Sequence, residues 1–440
     1  MRTLIPTLCA MMTTVAAPAQ QRAIAYTEFD LDNGLHVILH EDHGTPIVTV
    51  SVMYHVGSKD ERADRRGFAH FFEHLLFEGS NNIARGEFSK YVDKARGLLN
   101  ANTTGDRTYY YEVLPSNQLE LGLWLESERM LHARVDQKGI ETQREVVKEE
   151  RRQRYENQPY GSILIEVLDR AYEVHPYKWP TIGFMEDLNA ASEQDYVAFY
   201  KTYYVPNNAV LVIAGDLDPA KTRKQVEKYF AGIPKGGAIT RTEMNEPPLK
   251  GEKRDVVYDQ IQLPAVVQAY RIPAYGTEDF YAVEMLNRLL SNGNSSRLNK
   301  QVKDRDQKAV YVGAFSLPFE HPGLAIAFAV ANMGVDAMDL DAAMDAEFAK
   351  VRDVMVPEDE LEKLKAQIES ENIRDNSRMS GVASNLANAY TFFGNAAQVN
   401  KELGKYLAVT TADLQRVAKE YFNPESRVVL HYLPKSAQPK

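Results

Sequence analysis

The chain has 440 residues, 25% of them charged, with 61 acidic against 51 basic side chains and a net charge of −10. That length suggests two or more domains, with ample apolar residues for sizeable cores. The acidic balance argues against a nucleic-acid partner, because phosphate contacts need a basic face.

At the N-terminus, Arg2, the modestly apolar stretch from Leu4 to Ala17, and Ala17-Pro18-Ala19 before Gln20 read as a short secretory signal with an A-x-A cleavage site. Cys9, the single cysteine, would leave with residues 1–19, so the mature protein is expected to hold no thiol and no disulfide. No later run is long enough to span a membrane. His36 to Leu39 and Ile47 to Tyr54 then read as strands.

His70-Phe71-Phe72-Glu73-His74 follows. Residues four apart on a helix share a face, so His70 and His74 point the same way and can hold one zinc ion. Glu73 can lean over the metal's open position and take a proton from zinc-bound water. This H-x-x-E-H order, the reverse of H-E-x-x-H, reads as a hydrolase site. Gly67-Phe68-Ala69 before it and Leu75-Leu76-Phe77 after it make the setting apolar. A Glu and two His there need a partner, since desolvating them costs several kcal/mol, and a metal would supply one.

Catalytic zinc usually takes three protein ligands. Glu141 to Asn157 is helix-favouring throughout and stops at Gln158-Pro159. Most such charge runs are solvated helices. Val146 and Val147 give this one an apolar side, and Glu150 lies on it, three and four residues on, while Glu145 and Glu149 occupy another flank. Spacing favours Glu150 as the third ligand.

These two motifs, with Glu150 standing 76 residues after His74, resemble those of the pitrilysin/insulinase-type metallopeptidases, bacterial relatives of mitochondrial processing peptidase among them. The resemblance implies one Zn2+ per chain, with His70, His74 and Glu150 as ligands and Glu73 as general base. It extends over Leu99 to Thr104 and Thr108 to Val113, where relatives have an edge strand that pairs with the substrate backbone. This makes Asn100, Ala101 and Asn102 candidate substrate-binding residues. Many relatives carry a second Glu seven residues before the third ligand. Here that residue is Gln143, which puts a catalytic helper there in doubt. With a bacterial-type resemblance, the secretory signal implies a soluble periplasmic protein.

The remaining elements repeat the first ones. Asp195 to Pro206 precedes an apolar strand, Ala209 to Ala214, and Asp413 to Pro424 precedes Arg427 to Tyr432; the two prolines are 218 residues apart. His74-Leu75-Leu76-Phe77-Glu78-Gly79 is echoed by Arg288-Leu289-Leu290-Ser291-Asn292-Gly293, displaced by 214. Between them Gly232 to Glu252 holds three prolines and four glycines, a linker composition. The division expected is a metal-bearing domain at 20–232, a linker at 233–252 and a second domain at 253–440. Both domains are α+β, sheet packed with helices, and arise by internal duplication. Glu284, Asn287 and Arg288 fall where His70, Glu73 and His74 stand, so the second domain lacks the metal site.

Arg297 resembles the Arg of an Arg/Tyr pair with which relatives grip substrate. The Tyr expected about 13 residues on is replaced by Val310, with Tyr311 one residue late. On a strand that slip turns the side chain to the opposite face, so the pair is expected to be broken. Arg297 then reads equally well as a surface residue.

The expected function is zinc-dependent hydrolysis of short or unfolded peptides, bound as an added strand. In relatives two such domain pairs close around a chamber. One chain supplies one pair, so the resemblance implies a dimer, with a second copy or a metal-free homologous subunit. The alternative is a non-catalytic assembly or peptide-binding subunit, against which the intact His70, Glu73, His74 and Glu150 set speaks. Another zinc hydrolase on an unrelated fold is opposed by the duplication.

Overall fold

A computed structural model describes residues 23–241 and 244–439; the expected secretory signal lies outside the described residues. The first sheet comprises β1 (Thr27–Asp30), β2 (His36–Glu41), β3 (Ile47–Tyr54), β4 (Leu98–Thr103), β5 (Thr108–Pro115) and β6 (Ala209–Gly215). Its strand order is β1-β2-β6-β3-β5-β4, with β2 and β6 parallel and the other neighbours antiparallel. The second sheet comprises β7 (Lys253–Asp259), β8 (Ala265–Ile272), β9 (Ala309–Leu317), β10 (Gly323–Ala331) and β11 (Arg427–Pro434). Its order is β7-β11-β8-β10-β9, with β7 and β11 parallel.

Strand for strand, β2-β6-β3-β5-β4 repeats as β7-β11-β8-β10-β9, parallel pair included. The fold is α+β with two homologous sheet-plus-helix units. The strand expected at Ile47–Tyr54 is observed with those bounds, and the segment expected at an edge is β4, the last strand of its sheet.

Seven helices matter for the site. In the first half these are α1 (Phe68–Leu75), α2 (Leu119–His132), α3 (Gln137–Arg151) and α4 (Ile163–Ala171). In the second half they are α5 (Glu278–Ser291), α6 (Glu358–Asn376) and α7 (Met379–Phe393). One face of the first sheet packs on its own helices, α1 included, through Val48, Val50, Val52, Phe71, Phe72 and Leu123 among others. Its other face, with Ile38, Met53, Val210 and Val212, is covered by Val382, Ala383, Leu386 and Ala387 of α7, which belongs to the second half. The converse holds for α4: its Val167, Leu168 and Ala171 pack on Val267, Ala269, Leu324, Ile326 and Leu430 of the second sheet. Each half thus lends one helix to the other. Strands covered on both faces need no alternating polar residue, and every residue of β6, Ala209–Gly215, is buried.

Among the described residues no helix is long and apolar enough to cross a membrane.

Candidate active site

Helix α1 is fixed at both ends by buried polar side chains. It starts from Gly67 at φ +97°, and a Cβ there would come within 2.9 Å of Gly183 Cα, so only glycine fits this start. The buried Glu61 carboxylate accepts from the Gly67 and Ala69 N–H groups at 2.8 Å each, and from Trp179 Nε1 at 3.1 Å. Burial pushes the Glu61 carboxyl up to about 8 against these donors, and its oxygens satisfy N–H groups that the helix start leaves free. At the other end Arg129 of α2 donates Nη1 to the Leu76 carbonyl at 3.0 Å. Arg129 itself lies fully buried between Glu126, 3.1 Å away, and Glu112, 3.4 Å away. Its guanidinium sits over the rings of Phe77, Phe88 and Tyr110. Tyr110 also donates to the Phe72 carbonyl at 2.9 Å. Phe71 and Phe72 are fully buried, so the α1 face bearing His70 and His74 is set by the packing of the opposite face.

Helix α3 brings the third group. Asp136 caps its start by accepting from the Gly139 N–H. Of the two valines expected to form an apolar side, Val147 is buried and Val146 is 44% exposed. The reason is angular: successive residues lie about 100° apart on a helix, and only Val147 faces the core. Glu150, three residues on from Val147, shares its side. Its Oε2 lies 3.1 Å from His74 Nε2 and 3.6 Å from His70 Nε2. One ligand atom from each of His70, His74 and Glu150 falls within 4.8 Å of the others. Glu145 and Glu149 pair instead with Lys148 and Arg152 at 2.8 and 3.1 Å on the exposed flank.

The electrostatics suit a cation. Burial, helped by His74, lowers the His70 pKa to about 4, so the ring is neutral and can act as a ligand. Burial raises the Glu150 carboxyl, but the His74 hydrogen bond, the two imidazoles and Arg154 outweigh it and hold it below its ordinary value. Two imidazoles and one carboxylate form a donor set that fits zinc. Glu73 is raised, chiefly by burial, against the hydrogen bond that Thr103 Oγ1 of β4 donates at 2.7 Å.

Strand β4 presents Asn100 and Asn102 outward and buries Ala101. Its residues pair with β5 through Asn100↔Tyr111, Ala101↔Tyr110 and Asn102↔Tyr109. It ends the sheet, and among the described residues no strand pairs with its other edge. Gln143, where many relatives have glutamate, donates to the buried Glu78, which also pairs with Arg85.

Arg297 lies away from this cluster, in an ion pair with Glu360 of α6 at 3.0 Å. Tyr311 is 52% exposed, and so is its neighbour Val310, at 46%. β9 bulges at this point: Val330 faces Tyr311 and the next residue, Ala331, faces Ala309, which leaves Val310 as the extra residue. An extra residue interrupts strict alternation along the strand locally.

In the second half, Glu284 and Arg288 stand on α5 with 3.2 Å between Oε1 and Nε. Arg288 also pairs with Glu371 of α6. Asn287 donates to Ser316 Oγ of β9 at 2.9 Å. The arrangement copies Glu73 on Thr103 and His74 on Glu150, with an internal cation in place of metal-binding groups.

Four residues around the site were not singled out from sequence. Arg154 holds the second oxygen of Glu150 at 2.7 Å, and its i+4 spacing from Glu150 was a readable sign. Glu61 and Arg129 act through main-chain groups at the ends of α1, for which spacing offers no sign. Arg107, on the β4–β5 turn, is likewise invisible in periodicity.

Two sheets related by duplication, with an inverted histidine–glutamate motif in the first half and none in the second, define a metallopeptidase-type scaffold. The family profile described as Insulinase (Peptidase family M16) matches residues 36–183, and that of the Peptidase M16 inactive domain matches residues 190–368. The zinc protease PqqE of Helicobacter pylori is 30% identical over 420 residues, covering 94% of each chain. The crystal structure of a protease from Helicobacter pylori superposes with a TM-score of 0.90 at 29% identity, covering 94% of this chain and 100% of that one. The periplasmic protease PqqL from Escherichia coli shares the fold at a TM-score of 0.74 and 18% identity, over 93% of this chain and 47% of that one. The chain belongs to the insulinase family of peptidases, M16.

Proposed function

We propose that this chain is a zinc-dependent endopeptidase acting on short or unfolded peptides. The observation that carries the reading is the convergence of His70, His74 and Glu150, with Glu73 beside them held by Thr103. His70, His74 and Glu150 would hold the ion. Bound there, zinc would supply Lewis acidity toward the scissile carbonyl and toward an attacking water. Glu73 accepts the proton of that water and returns it to the leaving amine. Thr103 fixes the carboxylate that does so, and Glu61 and Arg129 fix the helix that carries it. An extended peptide joins the open edge of β4 around Asn100, Ala101 and Asn102 through main-chain hydrogen bonds. Such binding reads backbone first, which favours unfolded segments.

The same reading divides the chain into a leader at 1–19, a metal-bearing unit at 20–232, a linker at 233–252 and a metal-free unit at 253–440. It makes the mature protein periplasmic. The PqqL structure, of which this chain covers 47%, has room for two such pairs, and this supports a dimer here. The partner is a second copy or a metal-free homologous subunit, and Arg297 of the second half remains a candidate contact for substrate.

The test is metal analysis of the purified mature chain together with hydrolysis of an unstructured peptide pool, alone and with periplasmic extract. One equivalent of zinc with cleavage supports the reading; cleavage only after extract is added points to the unequal dimer. Absence of both would replace it with a non-catalytic peptide-binding subunit.

A further inference from the structure

The turn between β4 and β5 carries a guanidinium into the wall of the site. Arg107 is half-buried. Its Nη1 donates to the Asn102 carbonyl at 3.1 Å and also to the Asn102 side-chain oxygen. Its guanidinium lies 5.9 Å from the centre of the Tyr109 ring. Both oxygens it holds are neutral amide oxygens, and among the described residues no carboxylate forms an ion pair with it. Glu73 and Asp106 act on it only from beyond contact, while burial pulls its pKa below the ordinary arginine value.

The neighbouring cations differ. Arg154 pairs with Glu150 at 2.7 Å, Arg152 with Glu149 at 3.1 Å, Arg151 with Glu156 at 3.1 Å and Lys59 with Asp106 at 2.9 Å. A guanidinium withdrawn from water without a counter-charge is costly, and its planar fork matches a carboxylate. Nε and Nη2 remain to receive one. The group that Arg107 does hold, Asn102, lies on the strand edge where a peptide would add, next to the strand's contact with Glu73.

We propose that Arg107 binds a carboxylate of the substrate close to the scissile bond, so that the site selects peptides carrying Asp or Glu there or ending there in a free C-terminus. The proposal rests on the peptidase reading above and names its substrate class. The missing counter-charge of Arg107 is then supplied by the substrate, and a neutral or basic residue at that position leaves the guanidinium unpaired.

The experiment compares peptides identical except for Glu, Gln or Lys at each position flanking the scissile bond, and a second pair differing only in a free or amidated C-terminus. The protein is the mature wild type with Arg107→Gln, which keeps a donor for Asn102, and Arg107→Glu. The expected result is a kcat/KM about tenfold or more higher for Glu than for Gln, the worth of one charge-assisted hydrogen bond. Arg107→Gln should level the difference and Arg107→Glu should turn it toward Lys. If instead the free C-terminus carries the preference, the carboxylate is terminal and the proposal stands in that form. Equal rates for every peptide would overturn it. So would an Arg107→Gln variant that slows all peptides alike, as a residue that merely tunes Glu73 would do. Fluorescence anisotropy of the same peptides on the Glu73→Gln variant gives the ranking without turnover. A wild type that binds the acidic peptides selectively but cuts none leaves this inference intact and removes the peptidase reading. One that cuts all of them equally does the reverse.

Discussion

Arg288 pairs with Glu371 in the second half at the place where His74 meets Glu150 in the first. Glu284 joins it at 3.2 Å, one helical turn before, as His70 precedes His74. A guanidinium therefore sits between two carboxylates where the first half assembles two imidazoles and one carboxylate. The charge that joins helix to helix is internal in the second half; on the zinc reading proposed above, an ion would supply it in the first.

Arg288→Ala removes this internal cation and leaves Glu284 and Glu371 facing each other without it. Partly buried pairs broken on one side cost about 1–3 kcal/mol, so the melting temperature should fall. Metal content should stay at one equivalent, because the ligands lie in the other half. A loss of bound metal in this variant, measured by elemental analysis, would contradict the separation of the two sites.

Glu73→Gln keeps the size of the side chain and a group for Thr103 to bond, and it alters no ligand. Bound zinc should remain, while peptide cleavage should drop by about 10²–10⁴-fold, the usual worth of a general base. Cleavage at the wild-type rate would remove Glu73 from the chemistry.

The third ligand can be separated from its neighbours. Glu150→Ala should lower metal content with folding unchanged by circular dichroism, since the position is half-buried and the helix tolerates alanine. Glu145→Ala removes an i,i+3 pair, and Glu149→Ala removes an i,i+3 pair together with the hydrogen bond from Gln153, each interaction worth about 0.5 kcal/mol or less, and both variants should keep the metal. Zinc that follows Glu149 or Glu145 instead would reassign the ligand.

How far the sequence carried the reading depends on what each feature obeys. His70 and His74 obey the helical period, β2 and β3 obey apolar runs, and the duplicated proline turns keep their order; all of these are local, whereas the edge strand β4 followed only from the family resemblance. The exchange of α4 and α7 between the sheets is not. Nothing in the pattern of Val167-Leu168 or Val382-Ala383 says which sheet each helix covers. Buried charges were unreadable for the same reason, since Glu126 and Arg129 sit in a run of charged and polar residues that ordinarily faces water. At Val310 a single extra residue interrupts the ladder, and a period-two reading gives no sign of it.

His175 gives the contact between the halves a pH dependence. Its ring is 3% exposed, Nδ1 accepts from the Tyr177 N–H at 3.1 Å, and His321 stands 5.0 Å away. Burial first, and then His321, lowers its pKa from 6.5 to about 4. The unfolded chain therefore binds a proton near pH 6.5 that the folded chain refuses until about pH 4. The contribution is present above pH 6.5 and is lost as pH falls toward 4, by at most about 3 kcal/mol. His175→Asn, which retains an acceptor for the Tyr177 N–H, should show a smaller drop in chemical-denaturation stability between pH 7 and 4.5. An unchanged drop would place the acid sensitivity elsewhere.

The exchanged helices predict how the chain behaves when it is cut. Introducing a specific protease site between Gly237 and Ala238, where the chain is neither helix nor strand, severs the covalent link and leaves both exchanged contacts in place. Val382, Ala383, Leu386 and Ala387 still cover the first sheet, and Val167, Leu168 and Ala171 still cover the second. Each side chain buried in this way contributes about 1–3 kcal/mol, so the two fragments should co-elute in size exclusion and unfold together. The first half expressed alone, by contrast, exposes the Ile38, Met53, Val210 and Val212 face of its sheet and should aggregate. Fragments that separate after cutting, with a soluble and folded first half, would mean that the exchanged helices are accessory and that each sheet is stable with one face uncovered.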